Sequence, residues 1–298
     1  MLAEVAQHGQ RRRTEAPIPQ GFVGSNPTLR TKQYLIRRYH DCVVSASGCL
    51  TCPRGMNIYI NWRDLLFTVR RRGIMVKPRV IETNEGIQGD FDVEIYDRSM
   101  RNLRDRGWIE TNQILKSGIN HGLALEIGPG PGYVGLEWLM KTEATKLYGL
   151  EISPKMINLA EKNAREYGLQ ERVKYFWGDA QKMPFENNTF DGVFTNGSLH
   201  EWSQPEKIAD EIFRVLKLGG KYFISDMRRD MNPFMKLFMK LVAKPKEIRS
   251  GLTSTINASY TIEEIKPILA KTSLKDYEVK KSHDGFVVTG IRSRMLKD

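Results

Sequence analysis

Seven residues, Glu126-Ile127-Gly128-Pro129-Gly130-Pro131-Gly132, carry the densest chemical signal in the chain. Three glycines at alternate positions let the backbone turn tightly and let a ligand approach where a Cβ would collide. The turn follows a short apolar run and leads into a helical stretch. It therefore delivers its ligand to a helix N-terminus, as nucleotide sites on doubly wound sheets do. A dinucleotide fold would show G-x-G-x-x-G, and Tyr133 stands where the third glycine should fall. Glu151 lies 19 residues beyond Gly132, at the end of the next apolar run. A carboxylate there can accept both hydrogen bonds of a ribose diol. A solvated surface acid fits poorly directly after an apolar strand. Further on, Asn196-Gly197-Ser198-Leu199-His200-Glu201-Trp202 offers a general base in His200 and an aromatic wall in Trp202. The alternative is structural, with His200 capping the next helix or bonding a carbonyl and Trp202 packed beneath.

The elements that must position these residues alternate along the chain. Leu123 to Ile127, Lys146 to Leu150, Val173 to Trp177, Phe190 to Thr195 and Lys221 to Ser225 read as short strands. Val134 to Lys141, Pro154 to Tyr167 and Pro205 to Leu216 read as the helices between them. This order predicts a parallel sheet with helices on both faces. The end differs: Thr261 and Glu264 form a capping box for a helix to Leu269. Strands Asp276 to Lys280 and Phe286 to Ile291 follow, joined closely enough for an antiparallel hairpin. Upstream, Asn57 to about Arg72 reads as a basic amphipathic helix and 92–117 as a second helical region, with Val93, Ile95, Tyr96, Met100 and Leu103 on its apolar face.

The turn after an acidic strand end resembles motif I of the class I S-adenosylmethionine-dependent methyltransferases. Gly178-Asp179-Ala180 after the third strand, Phe190-Asp191-Gly192-Val193 at the fourth and Arg214-Val215-Leu216-Lys217-Leu218-Gly219-Gly220 before the fifth extend the resemblance, with Leu218 replacing the usual proline. It covers about Leu123 to Ile291 and is similar to the methyltransferase 11 group, which includes the ubiquinone and menaquinone C-methyltransferases. The resemblance implies an α/β fold: a doubly wound, Rossmann-like, seven-stranded, mostly parallel sheet in the order 3-2-1-4-5-7-6, with the antiparallel C-terminal hairpin. It implies S-adenosylmethionine as cofactor, with Glu126, Gly128, Gly130 and Gly132 at the turn and the first two near the methionine end. Glu151 would hold the ribose, Ile152 and Met156 would lie against sugar and base, Asp179 and Ala180 would read the adenine, and Asn196 would sit below the methionine moiety.

A small-molecule acceptor is the expectation. The Asn-Pro-Pro-Tyr-type motif of amide and base N-methyltransferases is absent after strand four, and no cysteine follows residue 52 to serve thiol-based arsenic methylation. Beside His200 and Trp202, the stretch Phe234 to Leu241 invites an acceptor role for Phe234, Met235 and Phe238. Its Met- and Phe-rich pattern suits an apolar acceptor or peripheral membrane contact. A core-facing helix with solvated lysines is the reading that periodicity favours there. Two competing functions are an RNA or protein methyltransferase docking through Arg63, Arg70, Arg71 and Arg72, and a non-catalytic cofactor-binding module.

Bulk properties bound these readings. The net charge is +11, yet residues 1–75 hold 12 Lys+Arg against 4 Asp+Glu, while the other 223 hold 34 against 31. The nearly balanced remainder gives no electrostatic footprint for nucleic acid. No apolar run is long enough to cross a membrane. Three cysteines, all before residue 53, suit a reducing cytoplasm. His40, Cys42, Cys49 and Cys52 do not make a familiar zinc set, so no metal is expected. The chain divides into a poorly structured extension (1–55), an N-terminal helical cap (56–122) and the catalytic domain (123–298). Within the first segment, Gly24-Ser25-Asn26-Pro27 and Ala3-Glu4-Val5-Ala6-Gln7 match what a reader obtains from the T-arm and D-arm of a transfer-RNA gene, which would start translation near Met56. An ordinary disordered tail is the other reading, and both stay open.

Overall fold

The computed structural model describes residues 43–44, 49–51, 57–59, 77–81, 87 and 89–294. The chain divides into two units, 1–73 and 74–298. In the first, strands β1 (Val43–Val44), β2 (Cys49–Thr51) and β3 (Asn57–Tyr59) form a small antiparallel sheet. β3 stands where a helix from Asn57 is expected, a correction to that reading; strands of two or three residues leave too short an alternation to recognise. Arg63, Arg70, Arg71, Arg72, His40, Cys42, Cys52 and the stretches matching a transfer-RNA gene lie outside the described residues.

Among the described residues, the second unit's first helices are α1 (Asp90–Asp105) and α2 (Thr111–Lys116). The single helical region expected over 92–117 is broken after α1 by Gly107, at φ +69°. Gly107 and Trp108 donate back to the Arg104 and Leu103 carbonyls, a glycine-terminated helix end.

Strands β4 (Leu123–Ile127), β5 (Lys146–Glu151), β6 (Val173–Trp177), β7 (Phe190–Asn196), β8 (Leu216–Met227), β9 (Tyr277–Lys281) and β10 (Gly285–Ile291) build one sheet, ordered β6-β5-β4-β7-β8-β10-β9. The first five are parallel, and β10 is antiparallel to both β8 and β9. This is the expected order, reversed last strand included. Chain direction across the sheet switches between β4 and β7, so a crevice opens at their carboxyl ends.

Alternation along the strands feeds two apolar layers. Leu125 and Ile127 of β4, Tyr222 and Ile224 of β8, and Ile208, Ile212 and Val215 of α5 (Pro205–Val215) pack on one face. Ala124, Phe223 and Phe194 pack on the other against Ile114, Val134, Leu136 and Leu139 from α2 and α3 (Tyr133–Met140), and against Ala160 and Ala164 of α4 (Pro154–Glu166). The two periods, 2 and 3.6, are met on the same buried surfaces.

Three elements differ from the sequence reading. β8 starts at Leu216 rather than Lys221, because the glycine turn is absorbed as a register shift between Phe190↔Leu216 and Gly192↔Lys221. Gly219, at φ +80°, supplies the backbone that shift needs. α6 (Pro233–Val242) buries none of its residues, which corrects the core-facing expectation. α7 (Ile248–Ala258) has a Ser/Thr/Gly-rich sequence with weak helix propensity. Tertiary contacts hold its end, where Arg79 donates to the Ala258 carbonyl and Arg229 to that of Ser259. The capping box at Thr261 and Glu264 starts α8 (Ile262–Ala270) as expected.

Asp191 fixes the start of β4 from the neighbouring strand. Its carboxylate accepts from Leu123 N at 2.9 Å and from Lys217 Nζ at 2.8 Å. Burial alone would raise its pKa, but these two donors hold it below the usual carboxylate range. Asp191→Ala should lower stability by about 1–3 kcal/mol, read as a lower Tm in thermal melts at neutral pH. An unchanged Tm would remove Asp191 from this role.

Candidate functional site

The glycine turn leaves β4 with three left-handed residues, Gly128, Gly130 and Gly132, at φ +64°, +53° and +85°. A Cβ on Gly128 would lie 2.8 Å from the Ser198 side chain, so both conformation and space demand glycine there. Gly132 is the N-cap of α3, and its carbonyl accepts from Leu136 N.

Glu151, at the tip of β5, is bound into this turn. Its Oε2 accepts from Gly130 N at 3.0 Å; its Oε1 accepts from Ile152 N at 2.9 Å and Ser153 N at 3.0 Å. Burial raises its pKa and the three N–H groups oppose the rise. A carboxylate has about four acceptor positions, so the remaining one is on Oε2.

Glu126 behaves differently. Only 2% exposed, it turns beneath α3 and accepts from the Gly135 N–H, while Oε2 has no hydrogen-bond partner among the described residues. Burial, and then the charge of Glu151, pushes its pKa up to about 8. The family resemblance puts Glu126 near the methionine end of a ligand; the structure sets its carboxyl behind the turn.

A cleft opens at the carboxyl edge of β4, β5 and β7. Of the residues singled out from sequence, Gly128, Gly130, Glu151, Ile152, Met156, Asp179, Ala180 and Trp202 line it. Asp179 caps the short turn Ala180–Lys182, accepting from Gln181 N at 2.8 Å. Glu126, Gly132, Asn196 and His200 are not on the wall, and neither are Phe234, Met235 and Phe238 of α6. Asn196 instead accepts from Ser225 Oγ at 2.8 Å.

His200 sits in the turn Leu199–Glu201, buried between two carboxylates. Its Nδ1 lies 3.0 and 3.1 Å from the oxygens of Asp226, which also accepts from the His200 backbone N–H at 2.7 Å. Its Nε2 is 3.9 Å from Glu201 Oε1. Asp226 thus favours the tautomer with the proton on Nδ1. Glu201, the next residue, is the one that reaches the cleft.

Sequence pattern does not single out Glu201, Ser198, Gln181, Ile87 and Tyr96, which also stand on the wall. Periodicity makes Tyr96 one member of an apolar helix face; only the packing of α1 over the glycine turn places it on the cleft. Burial of its phenol, then Glu201, Glu151 and Asp226, raises its pKa. Two bonds tie this cover down: Tyr133 Oη donates to Asp97 at 2.8 Å and Ser153 Oγ to the Ile87 carbonyl at 2.6 Å. The ionisable groups on the wall are Glu151, Asp179, Glu201 and Tyr96, with no Lys, Arg or His among the described residues there. Such a wall repels a polyphosphate nucleotide and suits a ligand with a positive centre.

Residues 125–224 match the model of the methyltransferase domain family. A sterol 4-C-methyltransferase of Caenorhabditis elegans is 37% identical over 103 residues, covering 35% of this chain and 30% of that protein. A demethylmenaquinone methyltransferase of Lactobacillus johnsonii is 26% identical over 186 residues, covering 58% of this chain and 70% of that protein. The crystal structure of a SAM-dependent methyltransferase from Aquifex aeolicus superposes with TM-score 0.54 at 23% identity, covering 69% of this chain and 99% of that one. Residues 125–224 therefore match the methyltransferase domain family, and the sheet shares the fold of that solved structure.

The Glu126 geometry predicts a pH signature. A carboxyl with a native pKa of about 8, against about 4.5 when unfolded, binds more protons folded than unfolded between those values. Its contribution is therefore complete below pH 4.5 and is lost as pH rises through 8. Wild-type Tm should fall between about pH 5 and about pH 8.5, and Glu126→Gln should flatten that slope. Parallel Tm profiles for the two proteins would show that another group governs it.

Proposed function

We propose that the cleft binds S-adenosylmethionine and that the chain transfers its methyl group to an apolar small-molecule acceptor. The observation that carries this reading is the wall itself: three carboxylates and no cation among the described residues, beside a turn that admits backbone contact. A nucleoside bearing a sulfonium and an amino group fits that charge pattern.

In this proposal the Glu151 Oε2 accepts a ribose hydroxyl, and Ile152 and Met156 pack against sugar and base. Asp179 and Ala180 meet the adenine. Gly128 and Gly130 allow the backbone to approach the ligand, Gly132 shapes the turn, Glu126 supports it from behind, and Asn196 braces the β7 tip below the methionine end. The cofactor supplies a methyl group on positively charged sulfur, whose transfer is an in-line displacement that depends chiefly on alignment. Tyr96 and Trp202 form acceptor walls. Where the acceptor must lose a proton, Glu201 takes it, with His200 and Asp226 behind as positioning residues. The names of the two relatives concern a sterol and a demethylmenaquinone, which supports an apolar ring acceptor here. The cytoplasm, suggested by the cysteine content, and the division at 55 and 122 belong to the same proposal.

Incubating the full chain with methyl-labelled cofactor and cell extract should put label in small, solvent-extractable molecules. Label in RNA or protein alone would overturn the acceptor assignment. Glu151→Ala should weaken cofactor affinity by about 1–3 kcal/mol in calorimetry; unchanged affinity would free Glu151 from the ribose. Glu201→Gln should lower kcat while leaving cofactor affinity in place, and equal loss of both would make it a cofactor residue instead.

A further inference from the structure

We propose that α6 seats the chain on an anionic lipid surface. Phe234, Leu237, Phe238 and Leu241 recur at i, i+3, i+4 and i+7, the spacing of one helix face. A domain helix ordinarily turns such a stripe onto the core. Here these side chains are 81%, 55%, 51% and 63% exposed, and no residue of α6 is buried. The stripe runs the length of the helix as contiguous apolar surface pointing outward, the kind of patch that marks a docking site.

Charge complementarity identifies the occupant. Residues 233–249 carry Lys236, Lys240, Lys244, Lys246 and Arg249 against one acid, Glu247; Lys236 and Arg249 donate to the Arg229 and Leu241 carbonyls, so Lys240, Lys244 and Lys246 make up the basic surround. An apolar stripe with a basic surround fits phospholipid acyl chains below and anionic headgroups around. A second copy of this chain would set the same basic surround against itself. None of the described helices is long and apolar enough to cross a membrane, so the contact is with the surface.

The helix is held firmly enough to act as a foot. Asn232 caps its start by accepting from Phe234 N at 2.8 Å, and Lys236 Nζ donates to the Arg229 carbonyl at 2.6 Å. α6 also follows directly on β8, whose end carries Asp226 beneath His200. The stripe therefore belongs to the same edge of the sheet as the cleft. An acceptor dissolved in lipid could enter from that edge, a consequence that rests on the proposed function, whereas the docking itself does not.

Flotation of the full chain with vesicles tests it, without cofactor or acceptor. The chain should float with phosphatidylcholine vesicles containing phosphatidylglycerol, less so at high salt, and poorly with phosphatidylcholine alone. Replacing the stripe (Phe234→Ser, Leu237→Ser, Phe238→Ser and Leu241→Ser together) should reduce partitioning roughly tenfold or more, with Tm and cofactor affinity retained. Lys244→Glu with Lys246→Glu should remove the preference for anionic vesicles. Failure to float with the anionic vesicles, or equal flotation of the Ser variant, overturns the proposal. So does light scattering that finds a dimer in the wild type and a monomer in the Ser variant, which assigns the stripe to a second copy. Calorimetry with S-adenosylmethionine reports separately on the cleft, so the two readings fail independently.

Discussion

Glu151 sits almost wholly buried at the tip of β5, where backbone N–H groups from two segments converge on its carboxylate. One comes from the glycine turn after β4; two come from the loop that opens α4. Burial raises its pKa, and these donors oppose that rise without cancelling it. The carboxylate therefore keeps its place only while β4 and β5 hold their register, Ile127 beside Leu150. Asp191 secures the other end of β4, so both ends of the central strand are held by side chains from neighbouring strands.

Glu126, on β4 just before the glycine turn, is shifted in the same direction, with fewer donors opposing the shift. With a single backbone donor and almost no water-facing surface, it is pushed toward the neutral form, whereas Glu151 has three donors. Burial raises the pKa of both side chains, and the N–H groups each receives oppose that rise. The same accounting runs around the cleft: Asp179 is occupied by its own turn and Asp226 by His200 and Met227.

Elements outside the repeating strands and helices supply what distinguishes this site. α1 lays Tyr96 over the glycine turn, and the bonds from Tyr133 and Ser153 hold that cover in place. α6 stands at the same sheet edge with its apolar stripe turned outward. Neither contributes a strand to the sheet.

The strands and helices, the glycine turn and the carboxylate at the second strand tip were legible in the residues because each depends on local pattern: period 2, period 3.6, or a backbone conformation that only glycine adopts readily; the order of the strands came from the family resemblance. Eight of the residues named from the sequence and its family resemblance line one cleft, since any parallel sheet brings its carboxyl-end loops together. Which carboxyl faces the cleft was not legible. Glu126 and His200 are turned away and Glu201 and Tyr96 inward by packing between segments far apart in sequence. The outward stripe of α6 was hidden for the same reason: periodicity shows that a helix has an apolar face, and only its neighbours decide whether that face is covered.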